Sequence, residues 1–203
     1  MAQIVTQGRG EVHRVADRAR VHAAFTVRAK DRVAAVDALA TRVARVQVLL
    51  GRDGVTVESR RLSVHDAFDG RRRSGTAATQ RYSILVVDLD QLDDLIAELV
   101  TADPSSLDGP FWDLADRSAA FGEAQRLAVA DARGTAQGYA DALAARLGPL
   151  VRLEDQSPGG GRTVHIARAL SSRSAAPAVA ELSLLPEEIS VLANCSATWD
   201  LMA

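Results

Sequence analysis

Strict alternation of apolar and polar residues begins at Arg18. Ala19, Val21, Ala23, Phe25, Val27 and Ala29 fall on one face, and Arg18, Arg20, His22, Thr26 and Arg28 on the other. A period of two predicts a half-buried strand with a basic outer face. Asp31 reads as an N-cap, and Val33, Val36, Ala40, Val43, Val46 and Leu50 follow at helical spacing until Gly51. The next strand lies in "GVTVESRRLSVHDAF", where the apolar phase changes between Val57 and Leu62, which predicts a bulge near Arg60. A polar hairpin loop, "DGRRRSGTAAT", leads to "RYSILVVDLD", apolar enough to sit inside a sheet. Asp90 reads as the cap of a second helix with the stripe Leu92, Leu95, Ile96 and Leu99, and "PFWDLAD" as a short strand.

Residues 18–117 thus run strand, helix, strand, strand, helix, strand, the order of a ferredoxin-like split βαβ unit. Residues 118–203 add a long helix, a strand at "LVRLED", a patternless flexible stretch at about 156–186 with a short strand at Thr163–Ala167, and a closing strand. In that last strand Ile189, Val191, Ala193, Cys195, Ala197, Trp199 and Leu201 share one face. The expected fold is α+β: a mixed, largely antiparallel sheet, one domain over 1–203, with the C-terminal strand packed on the long helix. Both halves run strand, helix, strand, strand, which reads as a weak two-fold repeat.

The long helix, which Gly148-Pro149 is expected to stop, has alanine at every fourth position from Ala120 to Ala144. A period of four outruns 3.6 by about 40° per step, so the line is expected to wind onto several faces. Gly134 and Gly138 form a Gly-x-x-x-Gly pair that would admit a second backbone. The helix is expected to pack on the sheet on one side and on another helix or subunit on another.

Composition narrows the function classes. The formal net charge is −2, with +7 on residues 1–80 and −9 on residues 81–203, which is no footprint for nucleic acid. Cys195 is the single cysteine, so no intrachain disulfide can form. The opening "MAQIVTQGRGEV" has no basic segment followed by an apolar one, and no apolar run reaches the roughly 18 residues of a membrane span. The expected location is therefore cytoplasmic.

No catalytic, cofactor-binding or metal-binding residue emerges, and no cofactor is expected. His13, His22, His65 and His165 lack the spacing of a helical metal pair. His65-Asp66 has no nucleophile elbow to serve. "SPGGGRT" lacks the Lys-Ser/Thr of a phosphate loop. Cys195 falls on the expected buried face, where a thiol is inert. Arg71, Arg72 and Arg73 read as a solvated loop tip. Arg18, Arg20, His22 and Arg28 make a basic strip that would suit an anion.

Taken together, "GRGEV" with "ADRARV", "GVTVESRRLSV", "RYSILVVDLDQLDDLIAELV", "GPFWDLAD", "AVADARGTAQGYADALAARLGPLVRLED" and "EEISVLANCSATWDL" resemble the SIMPL-domain family in order, from Gly8 to Leu201. The family is a bacterial group of unknown function that includes periplasmic immunogenic and oxidative-stress-defence proteins. The resemblance implies an α/β subunit that forms ring-like or higher oligomers, without an agreed enzymatic activity. It transfers no functional residues; Gly8, Gly10, Ala16 and Asp17 match recurring positions that look like turn and packing residues. The expected function is that of a non-enzymatic, self-associating protein with a stress-related role. A small-molecule or anion-binding module is the alternative, and a cryptic hydrolase or redox enzyme the third.

Overall fold

The structure is a computed structural model that describes residues 2–156, 163–164 and 184–202. The chain divides into two compact units, one of Met1–Val15, Leu114–Ala169 and Glu187–Ala203, the other of Ala16–Asp113 and Leu170–Pro186.

The second unit is the foreseen βαββαβ portion: β2 (Arg18–Ala29), α1 (Arg32–Leu49), β3 (Val55–Asp69), β4 (Arg72–Val86), α2 (Leu92–Thr101) and β5 (Ser106–Asp113). Its antiparallel sheet has the order β3-β4-β2-β5, with the first strand central, as a split βαβ unit requires. Asp31 caps α1 by accepting the Ala34 N–H at 2.9 Å. The buried line of α1 is Ala35, Leu39, Val43 and Val46; Val33 and Ala40, expected inside, are exposed. Asp90 does not cap the second helix. Asp88 caps a short 3-10 turn, Leu89–Gln91, from which α2 continues with Leu92, Leu95, Ile96 and Leu99 buried. The bulge falls between Val57 and Ser59, two residues before its expected place. One face of the sheet, with Val21, Phe25, Tyr82, Ile84 and Val86, is fully buried, and α1 packs against β2 and β4.

The first unit begins with a strand that the alternation pattern misses, β1 (Ala2–Val15). It continues with α3 (Arg117–Ala142), β6 (Arg146–Asp155), β7 (Thr163–Val164) and β8 (Glu188–Met202). β8 is central, with β1 on one side and β6 and β7 on the other, all antiparallel. The described strand at β7 is Thr163–Val164; the rest of the expected 156–186 excursion, His165 included, lies outside the described residues apart from Gln156 and 184–186. The expected repeat does not extend through the fold, because β5 completes the sheet of the other unit.

The long helix ends six residues before Gly148. Ala144 takes a left-handed φ of 51°, and Ala145 donates to the Ala140 carbonyl at 2.9 Å, a Schellman-type stop made without glycine. The alanine line does not wind onto several faces. Ala120, Ala124, Ala128, Ala132, Ala136 and Ala140 are all buried, none above 5% exposed. The reason is in β1. A Cβ built on Gly10 would lie 1.9 Å from the Ala124 carbonyl oxygen, and one on Gly8 1.9 Å from that of Ala128. The Thr6 hydroxyl donates to the Ala132 carbonyl at 2.8 Å. Each two-residue advance along β1 meets a four-residue step back along α3. Two strand residues rise about 6.8 Å and four helical residues about 6.0 Å, so the periods nearly match. Strand twist lets the contact line turn with the alanines.

Nor is the Gly134–Gly138 pair a contact. A Cβ on either meets nothing within 4 Å. Close approach is supplied by the glycines of the strand, and the helix supplies alanines.

Candidate functional site

Cross-strand register builds the outer face of the β3-β4-β2-β5 sheet in rows. Ser59, Ser83, His22 and Asp108 stand opposite one another from β3 to β5, and Arg61, Arg81, Ala24 and Ser106 form the next row. These residues line a groove of about 400 Å³. Ala24 lies between Arg81 and Ser106 and contributes only a methyl group, which deepens the groove at that point.

The basic strip foreseen on β2 is largely neutralised. Glu58 sits at the bulge of β3 and accepts two hydrogen bonds from Arg20, at 2.6 and 3.0 Å, and a third from Ser83 at 3.1 Å. Asp113 adds a second carboxylate 3.7 Å from Arg20. The Arg20 hydrogen bonds hold the Glu58 carboxyl below its ordinary range, and the same contact raises the guanidinium pKa. Arg18 lies 3.5 Å from Asp17. His22 packs on the Phe111 ring at 5.3 Å between centroids. What remains open toward the groove is Arg61 and Arg81, two arginines that sequence reading passes over. Their only sequence signal is that each alternates in phase with its strand's outward residues, and it becomes legible once β3 and β4 are paired.

The other candidates do not converge. His65 and Asp66 are successive strand residues and point to opposite faces; Asp66 pairs with Arg73 at 3.2 Å and lies 3.9 Å from Arg32. Arg71 and Arg72 are exposed at the hairpin tip, as expected. Cys195 is buried beside Gly8 beneath α3, and desolvation pushes its thiol pKa up, which disfavours the reactive thiolate. His13 lies 3.5 Å from Glu11 on β1. Among the described residues no group of three or more His, Cys, Asp and Glu could hold a metal ion, and no helix is long and apolar enough to cross a membrane.

Residues 4–199 match SIMPL, described as a protein of unknown function (DUF541). The chain belongs to the SIMPL family. No curated protein matches it. The SIMPL match runs from β1 into β8, so it includes the glycine–alanine contact and the groove.

Within this SIMPL chain the Arg20–Glu58 pair gives stability an acid limb. A carboxylate whose pKa is lower folded than unfolded contributes fully above its ordinary 4.5, and loses the contribution as pH falls through the folded value. The stability difference between wild type and Glu58→Gln should therefore shrink as pH falls from about 5 to about 3. Urea unfolding across that range measures it; a difference that does not vary with pH would remove Glu58 from the acid response.

Proposed function

We propose that this SIMPL protein is a non-enzymatic subunit that works by self-association, with the outer edge of β1 as the contact. The observation that supports this is how differently the outer strands β1, β3, β5 and β6 are made among the described residues. β3 has two register shifts, β5 has one and a proline, and β6 has two and a proline. Such interruptions blunt an edge against strand addition. β1 pairs with β8 through fourteen consecutive residues with no shift and no proline.

The Arg9 N–H donates to the Asp131 carboxylate at 3.0 Å and so points away from β8. Alternation puts the main-chain groups of Val5, Gln7, Glu11 and His13 on that same edge. A second copy added antiparallel about Gly10 would set Arg9 of each chain opposite Glu11 of the other, in a self-complementary two-fold contact. Asp131 competes for one of the donors involved.

The mass measured by light scattering should rise with concentration from the micromolar to the millimolar range. Val5→Pro removes one outward N–H on an exposed residue and should suppress the rise while the circular dichroism of the monomer is retained. A strict monomer at every concentration would overturn the reading, and an unchanged rise in Val5→Pro would overturn the β1 edge as its seat. The stress role implied by the family resemblance would then rest on assembly, since a buried Cys195 is poorly placed for thiol chemistry.

A further inference from the structure

We propose that the groove on the outer face of the β3-β4-β2-β5 sheet binds a small organic phosphate, with Arg61 and Arg81 as its phosphate clamp. Arg61 and Arg81 are direct partners in the β3–β4 ladder, so both guanidinium stems rise from one face on adjacent strands. Two like charges placed directly opposite destabilise a sheet unless an anion lies between them. Nearby carboxylates do not supply it. Glu58 is taken by Arg20 and Ser83, and among the described residues no ion pair is made by Arg61 or Arg81. Two guanidinium forks side by side match the several oxygens of a phosphate monoester, which each can engage bidentately.

The rest of the groove fits the remainder of such a ligand. Ser59 stands in the row next to the arginines and can donate to a phosphate oxygen, whereas the Ser83 proton already goes to Glu58. Ala24 leaves room on the floor. Asp108, at the far end of the Ser59 row on β5 and opposite His22, is acceptor-only when ionised and so suits hydroxyl groups rather than a second phosphate. A groove of about 400 Å³ is large for inorganic phosphate and within the usual range for a metabolite. The site thus selects a phosphate at one end and hydroxyls at the other, as in a sugar phosphate. It lies within one unit and does not depend on self-association.

The probes are ribose 5-phosphate and inorganic phosphate, titrated calorimetrically into the full chain at low salt. Ribose 5-phosphate should bind more tightly than inorganic phosphate. Arg61→Gln and Arg81→Gln should each weaken it by about tenfold or more, the loss typical of a charge-assisted hydrogen bond, whereas Arg45→Gln on exposed α1 should leave it unchanged. Asp108→Asn should weaken the sugar phosphate and leave or improve inorganic phosphate. All three arginine variants are at exposed positions, and their circular dichroism reports that they fold. Absence of binding by ribose 5-phosphate, or equal affinity in wild type and the Arg61→Gln/Arg81→Gln double variant, overturns the proposal. A preference for inorganic phosphate overturns the organic ligand class.

Discussion

Gly10→Ala should destabilise the unit formed by β1, β8 and α3 by roughly 3 kcal/mol, the upper end of what overpacking costs. The added methyl would sit 1.9 Å from the Ala124 carbonyl oxygen and 2.6 Å from the Ala128 nitrogen. Both are main-chain atoms of a hydrogen-bonded helix, so no rotamer change relieves the clash; the helix must lift or the strand must bend. Lifting α3 would separate Ala124, Ala128, Ala132 and Ala136 from Ala193, Cys195, Ala197 and Trp199, which together make the core of this unit. Gly8→Ala should behave alike, because Ala128 and Ala132 lie as close to it. Gly134→Ala and Gly138→Ala provide the contrast. They meet open space, have no left-handed φ, and should gain about 1 kcal/mol of helix propensity. Urea unfolding followed by Trp199 fluorescence, in a Trp112→Phe background, would measure all four. Equal effects at Gly10 and Gly138 would mean that the strand is not the surface the helix rests on.

Those four glycines also mark how far the sequence could be read. The βαββαβ order was legible because its strands alternate and its helices have ordinary stripes of Leu and Val. β1 was not, since its inward residues include Thr6, Gly8 and Gly10 where an amphipathic strand would carry large apolar side chains. An alternation search sees nothing in it. Without β1 the alanine period had no partner, and geometry on an isolated helix sent the line around the cylinder. The two periods are intelligible only together, one stepping by two and the other by four. The site followed the same logic. Arg18, Arg20 and His22 were visible as neighbours on one strand, but the Glu58 that neutralises Arg20 comes from a bulge whose position sets which β3 residues face outward. Arg61 and Arg81 are twenty residues apart and become neighbours only through the hairpin register.

Phe25→Ala should cost the other unit about 3–5 kcal/mol, the usual range for deleting a buried phenylalanine. Aromatic residues are only 4% of this chain, so its cores are aliphatic and few side chains span the gap between sheet and helix. Phe25 is fully buried on the inner face of β2, with the Tyr82 ring of β4 edge-on at 6.1 Å and 79°. Tyr82 is itself covered by the Arg60 guanidinium, 5.9 Å from its centroid. Removing Phe25 therefore leaves a void and deprives Tyr82 of its partner, and its ladder neighbours on that face, Ala23, Val27 and Ala78, are short side chains anchored in strands that cannot close over the space. Trp112, on β5 of the same sheet, reports the transition when Trp199 is replaced by phenylalanine. In that background the urea midpoint should fall with little change in slope, whereas the Trp199 transition of the alanine-helix unit, followed in the Trp112→Phe background, should move less. A Phe25→Ala loss below about 1 kcal/mol would mean that the site collapses around the missing ring and that the inner face of β2 is not the rigid core described above.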